Sequence, residues 1–315
     1  MISKKTVFVL GAGTSMPYGF PSGASLRKIL CAPANGHSKE IDWIASITKL
    51  GISPLDSIKF ARAFLDSGVG SIDSFLSRRS KEFGEIGKFA IAAVLCNQEE
   101  PSRFRNTDIE DDWYNYLWNA LIAGVHECED LAANQIRFVT FNYDRSLEYY
   151  LRKSCQETFG VSYADAVKAL EPLQIIHMYG QLGKLDQATS SDSRSYENFI
   201  GASELRIAAE GIKIISESRD EAPEFDEARK LFGWAEQICF LGFGFDHKNM
   251  SRLNLESVCK ERRLTGRSIR IIASTYGRMP VENSAVMNSI PSSNGWWEME
   301  YGESLSALRK KGVLL

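Results

Sequence analysis

The chain has 315 residues, of which 44% are hydrophobic and 24% charged, a composition typical of a globular protein with a substantial core. A formal net charge of −3 gives no basis for general binding to nucleic acid or membranes, and no apolar run approaches the roughly 18–20 residues of a membrane span. The cysteines form no C-x-x-C pair, which argues against a zinc ribbon and a disulfide scaffold. They are Cys31, Cys96, Cys128, Cys155, Cys239 and Cys259. The short apolar start lacks a signal-peptide cleavage pattern, so we expect a cytoplasmic location.

The first predicted element is a buried strand that runs straight into a glycine turn, in the sequence TVFVLGAGTS of Thr6–Ser15. In Rossmann-type sheets such a strand and turn deliver backbone N–H groups to a diphosphate, and glycine lets the backbone approach the ligand. Met16 replaces the third glycine of the G-x-G-x-x-G fingerprint, so the dinucleotide pattern is incomplete. Pro17 and Pro21 follow, which disfavours a long helix directly after the turn.

A largely helical block of about 120 residues separates this strand from the next. Within Asp108–Ala133 an apolar stripe recurs at helical spacing, which we interpret as core packing. The stripe consists of Trp113, Tyr116, Leu117, Ala120, Leu121 and Val125. A Rossmann crossover needs far fewer residues, so we expect a mainly helical subdomain inserted at 35–133 of a single domain spanning 1–315, with a C-terminal extension over 275–315.

Four further apolar runs, rich in β-branched and aromatic residues, predict buried parallel strands. They are Ile136–Phe141, Leu173–Tyr179, Gln237–Phe243 and Ser268–Ser274. The polar, serine-rich stretch Lys184–Asn198 is expected to be a loop. The predicted fold class is therefore α/β, a Rossmann-like open parallel sheet with helices on both faces and an inserted helical subdomain. Ligands of such sheets bind outside the carboxyl ends of the strands, so the residues after each run are candidates for a site.

Polar side chains follow the second and third predicted strands. Asn142 and Asp144 come after the second strand and can both reach a sugar there, or can instead cap the helix expected near Arg145. His177 and Tyr179 end the third strand two residues apart, so they share one face. An imidazole with a pKa of about 6.5 suits proton transfer, although a histidine on an apolar strand is also commonly a core residue.

The fourth strand ends in Gly242, Phe243 and Gly244, where glycines either admit a ligand close to the backbone or form a tight turn. Taken in chain order, the motifs GAGTS, GFPSG, FNYD, IIHMYG and LGFGFD resemble those of the sirtuin-like NAD-binding family. Ile72-Asp73-Ser74-Phe75-Leu76 resembles a further motif of bacterial sirtuin-like NADases. The resemblance covers roughly residues 5–275, with its specific signal in about forty of them.

The resemblance implies a role for each matched residue. The residues expected to hold the NAD diphosphate and the adjacent ribose are Gly11, Ala12, Gly13, Thr14 and Ser15. The residues expected to shape the nicotinamide side are Phe20 and Pro21. The residues expected to lie against the adenosine half are Gly242, Phe243 and Gly244. Asn142 and Asp144 would contact the nicotinamide ribose or position a water. His177 would be the catalytic base.

Departures from the family pattern narrow the expected chemistry. Protein deacylases of the family have Asp-Phe-Arg where this chain has Ser22-Gly23-Ala24, and they carry four zinc cysteines that this sequence lacks. Both differences favour the hydrolytic branch found in bacterial antiviral defence, with no zinc and no other metal. Many relatives place histidine immediately before the motif glycine, whereas here Tyr179 does so and His177 stands two residues earlier. Which of the two occupies the position of the base stays open.

The function implied by the resemblance is an NAD+ glycohydrolase, which consumes NAD+ as its substrate and acts as the toxic effector of an anti-phage abortive-infection system. Control is then expected from homo-oligomerisation or from a separately encoded subunit, such as an ATPase, a nucleotide-signal-binding protein or an Argonaute-like protein. Trp296 and Trp297 either dock such a partner or anchor the tail in the core. The alternatives are a non-catalytic module that senses NAD or ADP-ribose and an ADP-ribosyl transferase.

Overall fold

The fold is built on one parallel β-sheet. The computed structural model describes residues 1–36, 43–185, 190–198, 200–214, 222–264, 266–289 and 295–315. Within these ranges six strands form the sheet in the order β3-β2-β1-β4-β5-β6, with every pairing parallel. The strands are β1 (Thr6–Leu10), β2 (Ile136–Thr140), β3 (Ile175–His177), β4 (Gln237–Leu241), β5 (Ile269–Ser274) and β6 (Gly295–Glu300). The predicted Rossmann-like open parallel sheet is confirmed, and its strand order is the one typical of dinucleotide-binding folds.

Strand β1 lies at the centre of the sheet. Its residues are apolar except for Thr6, and all of them are buried, as expected for a strand that is paired on both sides. Its last residue, Leu10, is paired in register with Thr140 on one side and with Leu241 on the other. The strand order reverses between β1 and β4, so the chain leaves these two strands in opposite directions along the sheet. A crevice outside the carboxyl ends is expected at such a switch point.

Thirteen α-helices flank the sheet in the described part of the chain. They are α1 (Gly23–Cys31), α2 (Trp43–Thr48), α3 (Pro54–Asp66), α4 (Ile72–Cys96), α5 (Trp113–Ile122), α6 (Ser146–Phe159), α7 (Tyr163–Leu170), α8 (Ala202–Gly211), α9 (Pro223–Trp234), α10 (His247–Leu253), α11 (Leu255–Leu264), α12 (Pro280–Ser289) and α13 (Ser304–Lys310). As the prolines predict, no α-helix starts at the glycine turn, which continues as two short 3-10 turns before α1. Helices α1–α5 lie between β1 and β2, and residues 37–42 of the expected inserted subdomain lie outside the described residues.

The apolar stripe predicted over Asp108–Ala133 is helical over a shorter range, in α5, followed by a 3-10 turn at Cys128–Ala133. Its core-packing interpretation is correct for Trp113, Leu117 and Leu121, which are fully buried. Buried positions also include Tyr114 and Trp118, because α5 is covered on a wider face than the stripe predicts.

Each of the four later predicted strands overlaps an observed one. Strand β3, predicted over Leu173–Tyr179, is clearly shorter than expected. Strand β6 was not predicted, because its sequence GWWEME alternates with charges and its described side chains are only half-buried at the sheet edge. Trp297 in β6 packs on Phe240, with ring centroids 6.0 Å apart, as the core-anchoring interpretation expects. Within Lys184–Asn198 the described residues form neither helix nor sheet strand, and 186–189 lie outside the described residues. No helix in the described ranges is long and apolar enough to cross a bilayer.

Candidate functional site

A cleft of about 830 Å³ opens at the carboxyl ends of β1 and β4, where the switch point places it. Its floor is formed by the glycine turn after β1, including Gly11 and Gly13, and by the loop after β4, from Gly242 to Asp246. The loop before α5 and the start of α13 form another wall. The volume falls in the range of pockets that hold nucleotide-sized ligands.

The glycines of the turn are required by packing of backbone against backbone. A Cβ on Gly11 would lie 2.6 Å from the carbonyl oxygen of Gly242, and a Cβ on Gly13 would lie 2.7 Å from the Cα of Gly242. Gly242 itself has φ +53°, a left-handed conformation that disfavours other residues. By contrast, a Cβ on Gly244 would have no neighbour within 4 Å among the described residues. The glycines are therefore explained by the close contact between the turn after β1 and the loop after β4, as well as by space for a ligand.

Most N–H groups of the turn serve the protein itself. Those of Gly11 and Gly13 donate at 3.0 Å to the carbonyl oxygens of Leu241 and Gly242, and those of Thr14 and Ser15 donate within the turn. The turn therefore offers a diphosphate fewer donors than the sequence predicts. The start of α1 also borders the cleft through Ser22 and Gly23, and a helix N-terminus is a common site for anions.

Asn142 links the turn to the cleft, which it lines. Its Nδ2 lies 3.1 Å from the carbonyl oxygen of Gly11 and 3.2 Å from both Thr14 Oγ1 and Ser15 Oγ. Because a carbonyl oxygen can only accept, the amide must present its nitrogen to the turn. Among the described residues no donor contacts Asn142 Oδ1, so this acceptor is available to a ligand. The structure thus brings Asn142 together with the turn, as the strand-end argument predicts.

Asp144 is buried behind the turn and does not line the cleft. Its carboxylate accepts hydrogen bonds from the hydroxyl of Ser146 and, at 3.1 Å, from the N–H of Ser146 at the start of α6. Burial raises the pKa of Asp144. Asp144 precedes the N-cap residue Arg145 and accepts from the first residue of α6, so it satisfies an N–H at the helix start without being the N-cap itself.

His177 and Tyr179 also lie outside the cleft lining. His177 borders a separate cavity of about 560 Å³, and its two ring nitrogens are hydrogen-bonded to the main-chain oxygen of Asn142 and to Glu148. The Tyr179 hydroxyl donates to Asn249 Oδ1 at 2.7 Å and accepts from Arg252 at 3.0 Å. Burial raises the pKa of Tyr179. Of these partners Asn249 reaches the cleft, so Tyr179 supports the wall from behind.

The remaining predicted residues divide between the cleft and the core. Ala12, Gly242, Phe243 and Gly244 line the cleft. Thr14 and Ser15, expected to hold the diphosphate and ribose, are instead buried behind its lining, because their side chains pack against the Asn142 amide. Phe20 is buried in the core, and Pro21 is half-buried outside the lining. Met16 and Pro17 line the cleft instead.

The cleft carries an acidic wall, which the sequence did not reveal. The carboxylates that line it are Asp108, Glu110, Asp111, Asp246 and Glu303. Arg278 is the one basic side chain among the described lining residues, and its guanidinium donates to the Gly244 carbonyl oxygen at 3.0 Å. Asp111 accepts from the N–H groups of Ser304 and Leu305 at 3.3 and 2.6 Å, and burial raises its pKa to about 6.

Some of the site residues that the sequence analysis missed had a signal in the sequence, and others had none. Glu148 stands in the first turn of the helix after FNYD, so its proximity to the strand ends was accessible from the sequence. The contact between Asp111 and the start of α13 joins residues 193 positions apart and has no local signal. Asp73 of the IDSFL motif accepts a hydrogen bond from Tyr143 of FNYD at 2.7 Å, which ties two motifs of the resemblance together.

Within the described ranges there is no group of three or more His, Cys, Asp or Glu side chains that could hold a metal ion. No family model matches the sequence, and a search of curated proteins finds no significant relative. The sirtuin-like assignment therefore stays a prediction that depends on the motifs quoted above.

Proposed function

We propose that this chain binds NAD+ in the cleft and hydrolyses its nicotinamide–ribose bond to give nicotinamide and ADP-ribose. The observation that carries the proposal is the position of Asn142, whose Nδ2 braces Gly11 and whose Oδ1 is left for a ligand at the switch point of the sheet. A cleft of about 830 Å³ accommodates a dinucleotide.

The reaction breaks the bond between C1′ of the ribose and the pyridine nitrogen, and the electron pair goes to neutral nicotinamide. A water oxygen bonds to C1′ and releases one proton. Asn142 Oδ1 accepts a hydrogen bond from that water or from a ribose hydroxyl, which orients the reacting groups. Negative charge on the acidic wall stabilises the oxocarbenium ion that develops at C1′, and one of the wall carboxylates accepts the proton.

The test is to incubate the purified chain with NAD+, follow nicotinamide and ADP-ribose by chromatography, and measure NAD+ affinity by calorimetry. Asn142→Ala is expected to lower kcat by about 10²–10³ while NAD+ still binds, by analogy with removal of one oriented polar group from an active site. Asn119→Ala, at an exposed position of α5, is the matched control. Full activity of Asn142→Ala would contradict the proposed role.

A second candidate function is a non-catalytic module that senses NAD or ADP-ribose. It is favoured by His177, whose ring nitrogens are both engaged outside the cleft. Binding of NAD+ without release of nicotinamide in the same assay would support it. Label transferred from NAD+ to a protein or nucleic acid would instead support an ADP-ribosyl transferase.

On the strength of the resemblance, we extend the proposal to a toxic effector of antiviral defence that acts in the cytoplasm. Because unregulated NAD+ hydrolysis harms the cell that makes the enzyme, its activity would depend on homo-oligomerisation or on a separately encoded sensor subunit. Assaying the chain alone and with the product of a neighbouring gene tests this extension. Constitutive full activity of the isolated monomer would overturn it.

A further inference from the structure

The imidazole of His177 joins two segments behind the cleft. Its Nδ1 lies 3.0 Å from the main-chain carbonyl oxygen of Asn142, and its Nε2 is hydrogen-bonded to Oε1 of Glu148. Because a carbonyl oxygen can only accept, Nδ1 must carry a hydrogen and donate it. The side chains of His177 and Glu148 are only 9% and 12% exposed, so water competes weakly for these bonds.

The protonation of the pair follows from its partners. Burial lowers the pKa of His177, but the Glu148 carboxylate together with the Asn142 carbonyl oxygen and Asp144 raises it overall. Burial likewise raises the pKa of Glu148, but His177 outweighs burial and lowers it overall. The geometry agrees with these directions, because Nδ1 faces a carbonyl oxygen and Nε2 faces a carboxylate oxygen, and both partners are acceptors for a ring N–H. A ring that donates from both nitrogens has no free lone pair with which to take a proton from water.

The segment that His177 holds is the one that presents Asn142 to the cleft. Strand β2 ends at Thr140, so regular sheet pairing no longer fixes the chain two residues later. There the N–H of Asn142 donates to Thr140 Oγ1 at 3.1 Å, and its carbonyl oxygen accepts from His177. The neighbouring main chain is held by the Phe141 N–H, which donates to the Leu10 oxygen, and by the Leu182 N–H, which donates to the Tyr143 oxygen, both at 2.9 Å. At Asn142 itself, the contact with His177 is the one that fixes the carbonyl group of the residue whose amide reaches Gly11.

We infer that His177, locked by Glu148, is a positioning residue that holds Asn142 in place for the ligand of the cleft, and not a base that removes a proton. The inference rests on the proposed function only where it gives Asn142 a role toward NAD+. The contacts that carry it concern the protein alone.

Glu148→Gln and Glu148→Ala separate the two roles of His177. In Glu148→Gln a neutral imidazole still donates from Nδ1 to Asn142, and its Nε2 accepts from the introduced amide. The positioning role therefore predicts turnover of NAD+ within about threefold of the wild type for Glu148→Gln, because both hydrogen bonds remain. It predicts a loss of about 100-fold in kcat for Glu148→Ala, because the reacting groups are misplaced.

A base that depends on its carboxylate predicts a different pattern. In Ser-His-Asp triads, exchange of the carboxylate for an amide lowers kcat by about 10⁴, so Glu148→Gln would then be as damaging as Glu148→Ala. Glu157→Ala on the same helix, at a side chain that is 68% exposed, is the control for changes of charge on α6. Thermal unfolding of each variant establishes that it is folded.

A second readout needs no NAD+. In protein labelled with ¹⁵N at asparagine, the side-chain NH2 signal of Asn142 is identified by its absence from Asn142→Ala. We expect this signal to move in Glu148→Ala and to stay in place in Glu148→Gln and Glu157→Ala. Any other pattern overturns the inference. If the wild type releases no nicotinamide, the NMR pattern still decides the inference, so failure of the proposed function is recognised separately.

Discussion

Arg145 and Glu99 form a bidentate ion pair in which both side chains are fully buried. Arg145 Nε lies 3.0 Å from Glu99 Oε1, and its second nitrogen lies 2.6 Å from Oε2. Arg194 binds the same carboxylate. Arg145 also donates to main-chain oxygens that belong to or flank the polar loop, namely those of Gly183, Lys184, Arg194 and Ser195. One arginine of the FNYDR segment thus fixes both ends of a loop that the sequence leaves undefined.

We predict that Glu99→Gln lowers the free energy of unfolding by about 3–5 kcal/mol, because it leaves two buried guanidinium groups without a compensating charge. Urea denaturation followed by circular dichroism measures the change. Glu157→Ala, which breaks the exposed ion pair with Lys153, is the control and is expected to leave the unfolding midpoint unchanged. Equal midpoints for Glu99→Gln and the wild type would show that the buried pair is dispensable.

The contact between Gly13 and Gly242 gives a second prediction about stability. A Cβ on Gly242 would lie 2.3 Å from the N of Thr14, and its φ of +53° alone costs other residues about 1–2 kcal/mol. We expect Gly242→Ala to unfold at lower temperature and to weaken any ligand binding in the cleft, because the two loops must separate. Gly244→Ala is the matched control, since it adds the same atom in open space two residues away. Similar melting temperatures for the two variants would contradict this explanation.

The sequence predicts the central strands well, because a run such as that of β1 is apolar, short and ended by glycine. Asn142 could be placed near the turn for a related reason, since parallel strands end at one edge of the sheet. The prediction that His177 faces the ligand used alternation along β3 alone. Alternation cannot predict that Glu148, in the first turn of α6, binds one of the His177 ring nitrogens.

The elements that the sequence did not predict depend on contacts between distant segments. Strand β6 pairs with β5 along its whole length, but its half-exposed edge position removes the alternating apolar pattern. In the sequence Asp111 is one of several acidic residues of a loop, and only the folded chain brings it to the start of α13. Local periodicity contains no information about such partners, so the acidic wall emerges only from the tertiary structure.

Asp111 gives a prediction for the pH dependence of stability. Its pKa of about 6 in the folded state lies above its ordinary value of 3.8, since burial disfavours the carboxylate. Between these values the folded state binds more protons than the unfolded state, so the contribution of Asp111 to stability falls as the pH rises from about 4 to 6. Asp111→Asn retains an acceptor for Leu305 and has no such dependence. Unfolding free energies of both proteins, measured across this range, are expected to converge at low pH and to diverge in favour of the variant at higher pH; parallel curves would exclude Asp111 as the source.

The charge of the cleft predicts a preference between dinucleotides. NADP+ differs from NAD+ by a 2′-phosphate on the adenosine half, and Asp246, the wall carboxylate in the loop that the resemblance assigns to that half, repels this added negative charge. We therefore expect NADP+ to bind about tenfold more weakly than NAD+ at low ionic strength, with a smaller difference in high salt because exposed charges are screened. Calorimetry with both ligands measures the ratio.

Asp246→Asn is the variant that tests the origin of this preference. Asp246 belongs to the loop after β4, on the side assigned to the adenosine half, and its side chain caps α10 by accepting from the N–H groups of Lys248 and Asn249. Asparagine caps helices as well as aspartate does, so the substitution removes the charge and preserves the loop. We expect the preference for NAD+ over NADP+ to decrease, mainly because NADP+ binds more tightly to the variant. An unchanged ratio, with both ligands bound, would mean that the 2′-phosphate lies away from Asp246 and that the preference arises elsewhere on the wall.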